Sequence, residues 1–481
     1  MSPPGRESYR RTMTRNPTYG HELRHDPADL RRSLSGASTV PFWLDTAHPD
    51  PLPALSGRTT ADLLVVGGGF CGLWTALQAK ERDPDRDVVL VEAKRVGWAA
   101  SGRNGGFVEA SLTHGRDNGR RHFAAELDAI DALATANFEG FAETIERYGI
   151  DAEYEATGVL SVATEPHQVE ELRAGGASVL EGDALAAVTR SPVVRGAVMH
   201  REGGALVNPA KLAWGLREAC ARLGVRMFEN TPVERLTRTA GRVIARTPRG
   251  AVAADKVALA TNGFPPLLKR LALRTVPIYD YVLVTEPLTH AQLQEIGWVG
   301  RFGMSDNSRQ FHYYRKTADN RILWGGYDAV YHAGRRVRPA YDQRPETFER
   351  LADHFFTAYP QLRGLRFTHK WGGMIDMSTK FVSFQGTAMD GAVAYSLGYT
   401  GLGVAATRFG AAVMLDLLAG ETTSRTALAF PTTKPFPIPP EPIAYPAIQT
   451  MRRAIARSDA NGGKDGALIR IAEAFGIGFD S

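Results

Sequence analysis

The feature that most constrains the fold of this chain is a glycine-rich turn, Gly67–Gly72, between an apolar run and a helical pattern. The run before the turn, Ala61–Val66, predicts a buried parallel strand. The segment after it, Leu73–Glu81, has the apolar spacing of a helix, and Asp87–Val91 predicts a second buried strand. Together they form a βαβ unit of about thirty residues. This unit favours an α/β fold class with a parallel, Rossmann-like sheet.

The turn has the pattern Gly-x-Gly-x-x-Gly, which favours a bound dinucleotide. Its first glycine allows the tight turn, the second lets the backbone approach a pyrophosphate, and the third allows close packing of helix and strand. The helix N-terminus then offers N–H groups to the phosphates. Glu92 ends the next strand, where a carboxylate accepts hydrogen bonds from ribose hydroxyls. The predicted cofactor contacts here are Gly67, Gly69, Phe70, Cys71, Gly72 and Glu92.

A second polar, glycine-rich loop follows nine residues after Glu92 and favours a flavin. Nicotinamide enzymes do not need such a loop, whereas the pyrophosphate and isoalloxazine of a flavin require further backbone donors. The sequence contains no second Gly-x-Gly-x-x-Gly in a context suited to NADPH, so we expect the substrate itself to reduce the flavin. The predicted contacts in this loop are Ser101, Gly102, Arg103, Asn104, Gly105 and Gly106.

The segments GGGFCGLWTAL, VLVE and GWAASGRNGGF resemble the FAD-dependent D-amino-acid-oxidase-like superfamily. Within it, the chain resembles the branch of glycine and sarcosine oxidases, gamma-glutamylputrescine oxidoreductase and aminophosphonate oxidoreductases, over residues 41–481. The resemblance implies a backbone contact of Val233 to the adenine. It also implies that Thr400, Gly401, Leu402 and Gly403 face the pyrimidine end of the flavin. Some relatives tether FAD through a C-terminal cysteine, but no cysteine follows Cys220, so we expect non-covalent FAD.

The order of the patterns and the resemblance predict a mixed α/β (α+β) architecture. An FAD-binding domain is built from separated segments, and a β-rich substrate domain is inserted between them. The predicted parts are a flexible N-terminal extension (1–40), the FAD-binding domain (41–150, 201–270 and 371–430), the substrate domain (151–200 and 271–370) and a C-terminal wrap with a helix (431–481).

Aromatic residues alternate along two predicted strands of the substrate domain, Val276–Val284 and Phe311–Trp324. A strand sends every second side chain to the same face, so Tyr279 and Tyr281 share one face, and His312 and Tyr314 share another. Histidine side chains can take up and release protons near neutral pH, so His312 is a candidate to assist proton transfer. We predict His312 and Tyr281 as catalytic residues and Tyr314, Trp371 and Tyr399 as substrate contacts, with packing in the core as the competing interpretation.

The predicted activity is amine or amino-acid oxidation by hydride transfer from carbon to flavin N5, followed by hydrolysis of the imine. O2 would reoxidise the flavin and give hydrogen peroxide. One alternative is a dehydrogenase with a protein or quinone acceptor. Another is a biosynthetic oxidase of a phosphonate-, hydroxy- or N–N-bearing amine, which Lys380 leaves open because relatives differ there. A non-enzymatic flavin-fold protein is the third.

Composition restricts the partners and the compartment. The net charge is +5, but only 10 of the 57 basic residues are lysine, and no basic run with interleaved aromatics suits nucleic acid. Cys71 and Cys220 are the two cysteines, which argues against a disulfide framework or a cysteine metal site. No apolar run is long enough to span a membrane, and no signal peptide is visible, so we expect a cytoplasmic protein without a metal. The oligomeric state stays open.

Overall fold

Two eight-stranded sheets, each assembled from segments distant in sequence, form the core of the structure. The computed structural model describes residues 17–474. Its strands are β1 Gly57–Val66, β2 Val88–Val91, β3 Phe107–Glu109, β4 Val159–Ala163, β5 Gly196–His200, β6 Gly204–Leu206, β7 Arg226–Phe228, β8 Arg235–Thr239, β9 Arg242–Thr247, β10 Gly250–Leu259, β11 Thr275–Thr285, β12 Gly303–Asp306, β13 His312–Lys316, β14 Ile322–Gly326, β15 Val330–Tyr331, β16 Phe367–Ser378, β17 Phe384–Ala388 and β18 Val393–Leu397.

The helices surround these sheets and connect their strands. They are α1 Pro27–Ser33, α2 Phe70–Arg82, α3 Arg116–Phe123, α4 Leu127–Tyr148, α5 Pro166–Ala174, α6 Gly182–Ala186, α7 Pro209–Arg222, α8 His290–Glu295, α9 Pro345–Ala358, α10 Ala406–Ala419, α11 Ala444–Ala460 and α12 Ala467–Ala474. Within the described range, none of them combines the length and apolar character that crossing a bilayer requires.

The first sheet has the strand order β17-β18-β10-β1-β2-β7, with the hairpin of β8 and β9 attached to β10. β1 pairs in parallel with both β10 and β2, so the predicted βαβ unit of β1, α2 and β2 is confirmed. α2 packs between α7 and α10 on one face of this sheet. The second half of β1 and all of β2 are nearly continuous apolar runs. Strands of parallel sheets have this composition because both of their faces are covered.

The second sheet has the strand order β15-β11-β14-β13-β12-β4-β5, with β16 along the free side of β11. α9 covers one face, where Phe348 packs edge-on to Tyr281 and Phe355 packs edge-on to Trp324. Strands of the two sheets alternate along the chain, which confirms the predicted α/β (α+β) class with a β-rich insertion. β16 remains paired with β11 through Ser378, so residues 371–378, predicted to start the third FAD-binding segment, belong to the second sheet.

The N-terminal segment differs from the flexible extension predicted for residues 1–40. Residues 1–16 lie outside the described part of the chain. Residues 17–40 include α1, whose N-cap Asp26 accepts a hydrogen bond from the Ala28 N–H, and whose Leu30 is buried where α1 contacts α9. The Ser38 N–H donates to the Thr368 carbonyl. A helix of seven residues is too short to show a periodic apolar pattern, which is why the sequence did not reveal it.

Candidate cofactor and substrate site

A cavity of about 1170 Å³ lies between the two sheets. The glycine turn after β1, the loop around residues 98–105 and residues 400–404 before α10 line it from the first sheet. Strands β11, β13 and β16 line it from the second sheet. The cavity therefore has two sides. The first-sheet side contains the segments predicted to bind a cofactor, and the second-sheet side can contact another molecule.

The glycine turn is shaped by contacts that leave no room for side chains. Gly67 has a φ of +116°, and a Cβ there would lie 2.4 Å from the Ala260 carbonyl oxygen. A Cβ on Gly72 would lie 1.8 Å from the Gly67 carbonyl oxygen, so Gly72 supports the turn from behind and does not line the cavity. No side chain caps α2 through its N-cap Gly69, and the Phe70 N–H donates to Ser101 Oγ at 2.9 Å. The start of α2 is thus directed at the cavity with N–H groups available to an anion.

Glu92 lines the cavity at the end of β2 and is held by three donors. Its Oε2 accepts from the Gly68 N–H at 2.6 Å. Its Oε1 accepts from the Lys94 N–H at 2.8 Å and from Trp98 Nε1–H at 2.9 Å. Burial raises the pKa of Glu92, and these bonds oppose the rise. The carboxylate is fixed beside the turn, where its remaining lone pairs can accept from hydroxyl groups.

The second glycine loop contributes both lining and support. Ser101, Arg103, Asn104 and Gly105 line the cavity. Gly102 and Gly106 lie behind it, because a Cβ on either would approach a backbone carbonyl oxygen to 2.3 or 2.2 Å. Asn104 holds the loop closed by donating to the Ala100 carbonyl at 3.0 Å and accepting from the Gly106 N–H at 2.8 Å. These bonds give the loop a single shape.

The loop before α10 is open toward the cavity. Thr400, Gly401, Leu402 and Gly403 all line it, and so does Val233. Thr400 and Gly401 have φ angles of +52° and +95°, and a Cβ on Gly401 would meet no atom of residues 17–474 within 4 Å. No side chain caps α10 through its N-cap Ala405. A planar group can therefore approach this backbone closely.

Asp376 fixes that loop from the neighbouring strand β16. It accepts from the Gly398 N–H at 2.5 Å and from the Tyr399 N–H at 3.1 Å. It also lines the cavity, and burial raises its pKa to about 7. Asp376 was not among the site residues predicted from the sequence. Its position, five residues after Trp371 in a strand otherwise free of acidic residues, was the available signal.

A carboxylate and a tyrosine are in contact among the polar groups of the second-sheet wall. Ile278, Asp280 and Val282 of β11 face the cavity, together with Tyr313 of β13. The Tyr313 hydroxyl donates to Asp280 Oδ2 at 2.5 Å. Burial raises the pKa of Asp280 to about 6, against the lowering effect of the Tyr313 hydrogen bond. Asp280 was not among the residues predicted from the sequence, whereas Tyr313 lies in the aromatic-rich strand Phe311–Trp324 that was predicted to contribute pocket residues.

The two residues predicted to be catalytic are not among those that line the cavity. The Tyr281 hydroxyl donates to the Tyr341 carbonyl at 2.8 Å, on the face covered by α9. His312 is fully buried, with Nδ1 2.7 Å from Asp306 Oδ2 and Nε2 2.9 Å from His354 Nδ1. Neither side chain lines the cavity, so neither is placed to contact a molecule bound there.

The three predicted substrate contacts have different positions. Tyr314 packs against Trp324 in the core below the second sheet, with ring centroids 4.5 Å apart. Trp371 is buried and donates from Nε1 to the Arg103 carbonyl at 3.0 Å. Tyr399 does line the cavity, but from the first-sheet side, where its hydroxyl is 2.5 Å from Ser396 Oγ. Tyr399 thus stays a candidate contact, whereas Tyr314 and Trp371 support the wall.

Three residues of reactive types have surroundings that argue against a chemical role: Cys71, His114 and Lys380. Burial raises the pKa of the Cys71 thiol to about 11, so the thiol stays protonated near neutral pH. Burial lowers the pKa of His114 to about 4, and its Nε2 lies 2.9 Å from the Thr400 carbonyl oxygen. Lys380 does not line the cavity, and its Nζ lies over the Phe123 ring at 5.3 Å. The sequence departure at Lys380 therefore lies outside the cavity wall.

The interleaved sheets, the glycine turn and the acidic residue at the end of β2 define a dinucleotide-binding oxidoreductase fold. The model of the DAO family, described as FAD dependent oxidoreductase, matches residues 62–417. The chain therefore belongs to the DAO family of FAD-dependent oxidoreductases, which confirms the resemblance found in the sequence.

Relatives and solved structures agree with this assignment. Gamma-glutamylputrescine oxidoreductase of Escherichia coli (strain K12) is 31% identical over 402 residues, which cover 80% of this chain and 90% of the relative. Sarcosine oxidase subunit beta of Rhizobium meliloti (strain 1021) is 26% identical over 362 residues, 70% of this chain and 77% of the relative. Glycine oxidase from Geobacillus kaustophilus has the same fold, with a TM-score of 0.64, 18% identity and coverage of 79% of this chain and all of that one.

The residues present fit FAD. The glycine turn and the uncapped start of α2 suit its pyrophosphate, and Glu92 suits the ribose beside it. The space above Gly401, which a Cβ would enter without contact, suits an aromatic ring against the backbone. The cavity is also long enough to reach from Val233 to the second-sheet wall, since residues of both line it.

Proposed function

We propose that this protein is an amine oxidase that uses non-covalent FAD. Bound FAD supplies the acceptor for a hydride from the carbon next to the substrate nitrogen. The resulting imine would be hydrolysed to a carbonyl compound and an amine or ammonia, and O2 would be the final electron acceptor, giving hydrogen peroxide. The names of the relatives, an oxidoreductase of gamma-glutamylputrescine and a sarcosine oxidase, support a C–N bond as the target.

The observation that carries this proposal is the charge of the cavity wall. Every arginine that lines it within residues 17–474 is paired with a carboxylate: Arg103 with Asp342, Arg116 with Asp131, Arg309 with Asp465 and Arg452 with Asp328. Carboxyl groups such as Asp280 and Glu109 line the same cavity without an ion-pair partner among the described residues. An excess of negative groups attracts a cationic amine and repels an anion.

The chain's own residues have separate tasks in this scheme. Glu92 and the start of α2 hold the nucleotide half of FAD. The backbone of Gly401–Gly403 and the positive end of α10 stabilise negative charge near the ring. The apolar side chains of Ile278 and Val282 exclude water from the space above it.

The test is an anaerobic reduction experiment on the purified holoprotein. The panel contains n-butylamine, N-methylbutylamine, gamma-glutamylputrescine, 2-aminoethylphosphonate, sarcosine and glycine, and the readout is the visible absorbance of the flavin. We expect at least one amine to bleach the flavin, and admission of air to restore the colour with one hydrogen peroxide per amine oxidised.

Two outcomes would change the assignment. Reduction by an amine followed by slow reoxidation in air, but fast reoxidation by a quinone, would identify a dehydrogenase. A flavin that dithionite bleaches and no amine does would contradict an amine oxidase and favour a flavin-fold protein without this activity.

A further inference from the structure

We propose that Asp280, positioned by Tyr313, binds the ammonium group of the substrate and takes up its proton, so that the site selects amines without a carboxylate on the reacting carbon. This inference rests on the proposed function and names its substrate class. Four observations on the cavity support it, and each concerns a different property: the backbone, the tyrosine, the charge and the arginines.

The backbone at Asp280 is rigid and leaves its carboxylate exposed to the cavity. Asp280 lies in the middle of β11, which pairs with β16 from Thr275 to Thr285 and with β14 from Val282 to Val284. Its direct partner on β16 is Gly373, which has no side chain to cover the carboxylate. A rigid strand holds a side chain more reproducibly than a loop does, as a binding group requires.

Tyr313 connects Asp280 to the predicted cofactor loop. A Cβ on Gly105 would lie 2.8 Å from the Tyr313 ring, and a Cβ on Gly325 would lie 2.6 Å from it, so the ring is held between these two glycines. Phe107 packs edge-on to the same ring at 5.9 Å. Gly105 belongs to the second glycine loop, which is predicted to bind the cofactor. The Asp280–Tyr313 pair therefore lies next to the predicted cofactor position.

The charge of Asp280 is unbalanced in the absence of a substrate. Within the described residues, no arginine or lysine forms an ion pair with it, and the acidic group that acts on it, Asp328, disfavours its ionised form. Burial raises the pKa of Tyr313 well above its usual value, so this hydroxyl keeps its proton and donates. A bound ammonium group would supply the missing positive charge.

The proton step is balanced within the pair. An N–H bond of the substrate ammonium breaks and an O–H bond forms on Asp280, so a cation and an anion become two neutral groups and no electrons move. Burial disfavours both charged forms and thus favours this exchange. The neutral amine then has the lone pair that loss of a hydride from the neighbouring carbon requires.

The selection against amino acids follows from the negative charge of Asp280 and from the pairing of the lining arginines. A carboxylate on the reacting carbon would lie beside the Asp280 carboxylate, and like charges at close range repel. The lining arginines that could offset it are engaged with Asp342, Asp131, Asp465 and Asp328. We therefore expect n-butylamine and N-methylbutylamine to bind better than glycine and sarcosine.

The experiment measures binding of tert-butylamine, which has no hydrogen on the carbon next to nitrogen and cannot be oxidised. Its Kd is measured on the holoenzyme from flavin difference spectra and by calorimetry. For Asp280→Asn we expect a Kd raised by about tenfold to a hundredfold at unchanged FAD content, since a hydrogen bond to a charged group contributes about 1.5–3 kcal/mol. Asp117→Asn, which removes a carboxyl group of the same cavity that is already paired with Arg120, should change the Kd by less than about twofold.

Tyr313→Phe adds a readout that a purely structural role would not move. Its ring keeps the packing against Gly105 and Gly325 but loses the hydrogen bond that lowers the pKa of Asp280. Binding requires the ionised carboxylate, so the pH midpoint for tert-butylamine binding should rise above that of the unmodified protein. An unchanged midpoint would contradict the role of Tyr313.

The outcomes separate this inference from the proposed function. If no amine reduces the unmodified holoenzyme, the proposed function fails. If amines reduce it but Asp280→Asn binds tert-butylamine as tightly, or Asp117→Asn weakens binding equally, the inference fails alone. Tighter binding of glycine and sarcosine than of the simple amines would also overturn it.

Discussion

At the scale of single residues, the buried chain of Asp306, His312 and His354 has an unusual proton requirement. Its three hydrogen bonds run from Asp306 Oδ2 to His312, from His312 to His354, and from His354 Nε2 to the Gly20 carbonyl at 2.8 Å. Three bonds in series need three protons, whereas an ionised aspartate and two neutral imidazoles hold two. Burial lowers the pKa of His354, which disfavours an additional proton on that imidazole.

This chain predicts a large stability effect for a residue that does not reach the cavity. His312→Gln should lower the free energy of unfolding by about 1–3 kcal/mol, because it removes the imidazole that connects two buried hydrogen-bonding groups, Asp306 and His354. Urea unfolding of the holoprotein measures the change. The double variant with Asp306→Asn should lose less than the sum of the two single variants, and additive losses would contradict the coupling.

At the scale of elements, the alternation of β11 and β13 was predicted from the sequence, but the face turned to the cavity was not. Tyr279 and Tyr281 do share a face, and it is the one packed under α9. The cavity face carries Asp280 and Tyr313 instead. Both faces of this sheet are covered, so apolar character could not distinguish them. The better signal was the acidic residue inside an aromatic strand, because burial of a charge needs a reason.

The glycine turn was predicted correctly because its requirements are local. Gly72 is the most sensitive position, since an added Cβ would meet the Gly67 carbonyl oxygen and separate α2 from β1. Gly72→Ala should weaken FAD binding by at least about tenfold, the factor that corresponds to 1.4 kcal/mol. Titration of the apoprotein with FAD, followed by flavin fluorescence, measures the change.

Gly176→Ala is the matched control for this prediction. Gly176 also has a left-handed φ, +76°, but a Cβ there would meet no atom within 4 Å. The substitution should lower stability by about 1–2 kcal/mol through backbone strain and leave FAD affinity unchanged. Equal FAD affinities for the two variants would show that the close packing at Gly72 does not form the cofactor site.

At the scale of the whole molecule, the interleaving of two sheets could be predicted, because strand patterns recur on both sides of an aromatic-rich insertion. The domain boundary at residue 371 could not be predicted. The sequence of β16 would suit either sheet, and only its pairing with β11 assigns it to the second one. The packing of α1 on α9 was likewise invisible, because contacts between segments more than three hundred residues apart leave no local pattern. The site depends on this long-range arrangement, since its two walls belong to different sheets.

A crystal structure of the holoprotein tests the central claim most directly. The account predicts FAD in the cavity between the sheets, with its ribose on Glu92, its pyrophosphate at the start of α2, and its ring between Gly401–Gly403 and the Asp280–Tyr313 wall. FAD bound elsewhere, or a ring separated from Asp280 by other side chains, would contradict it.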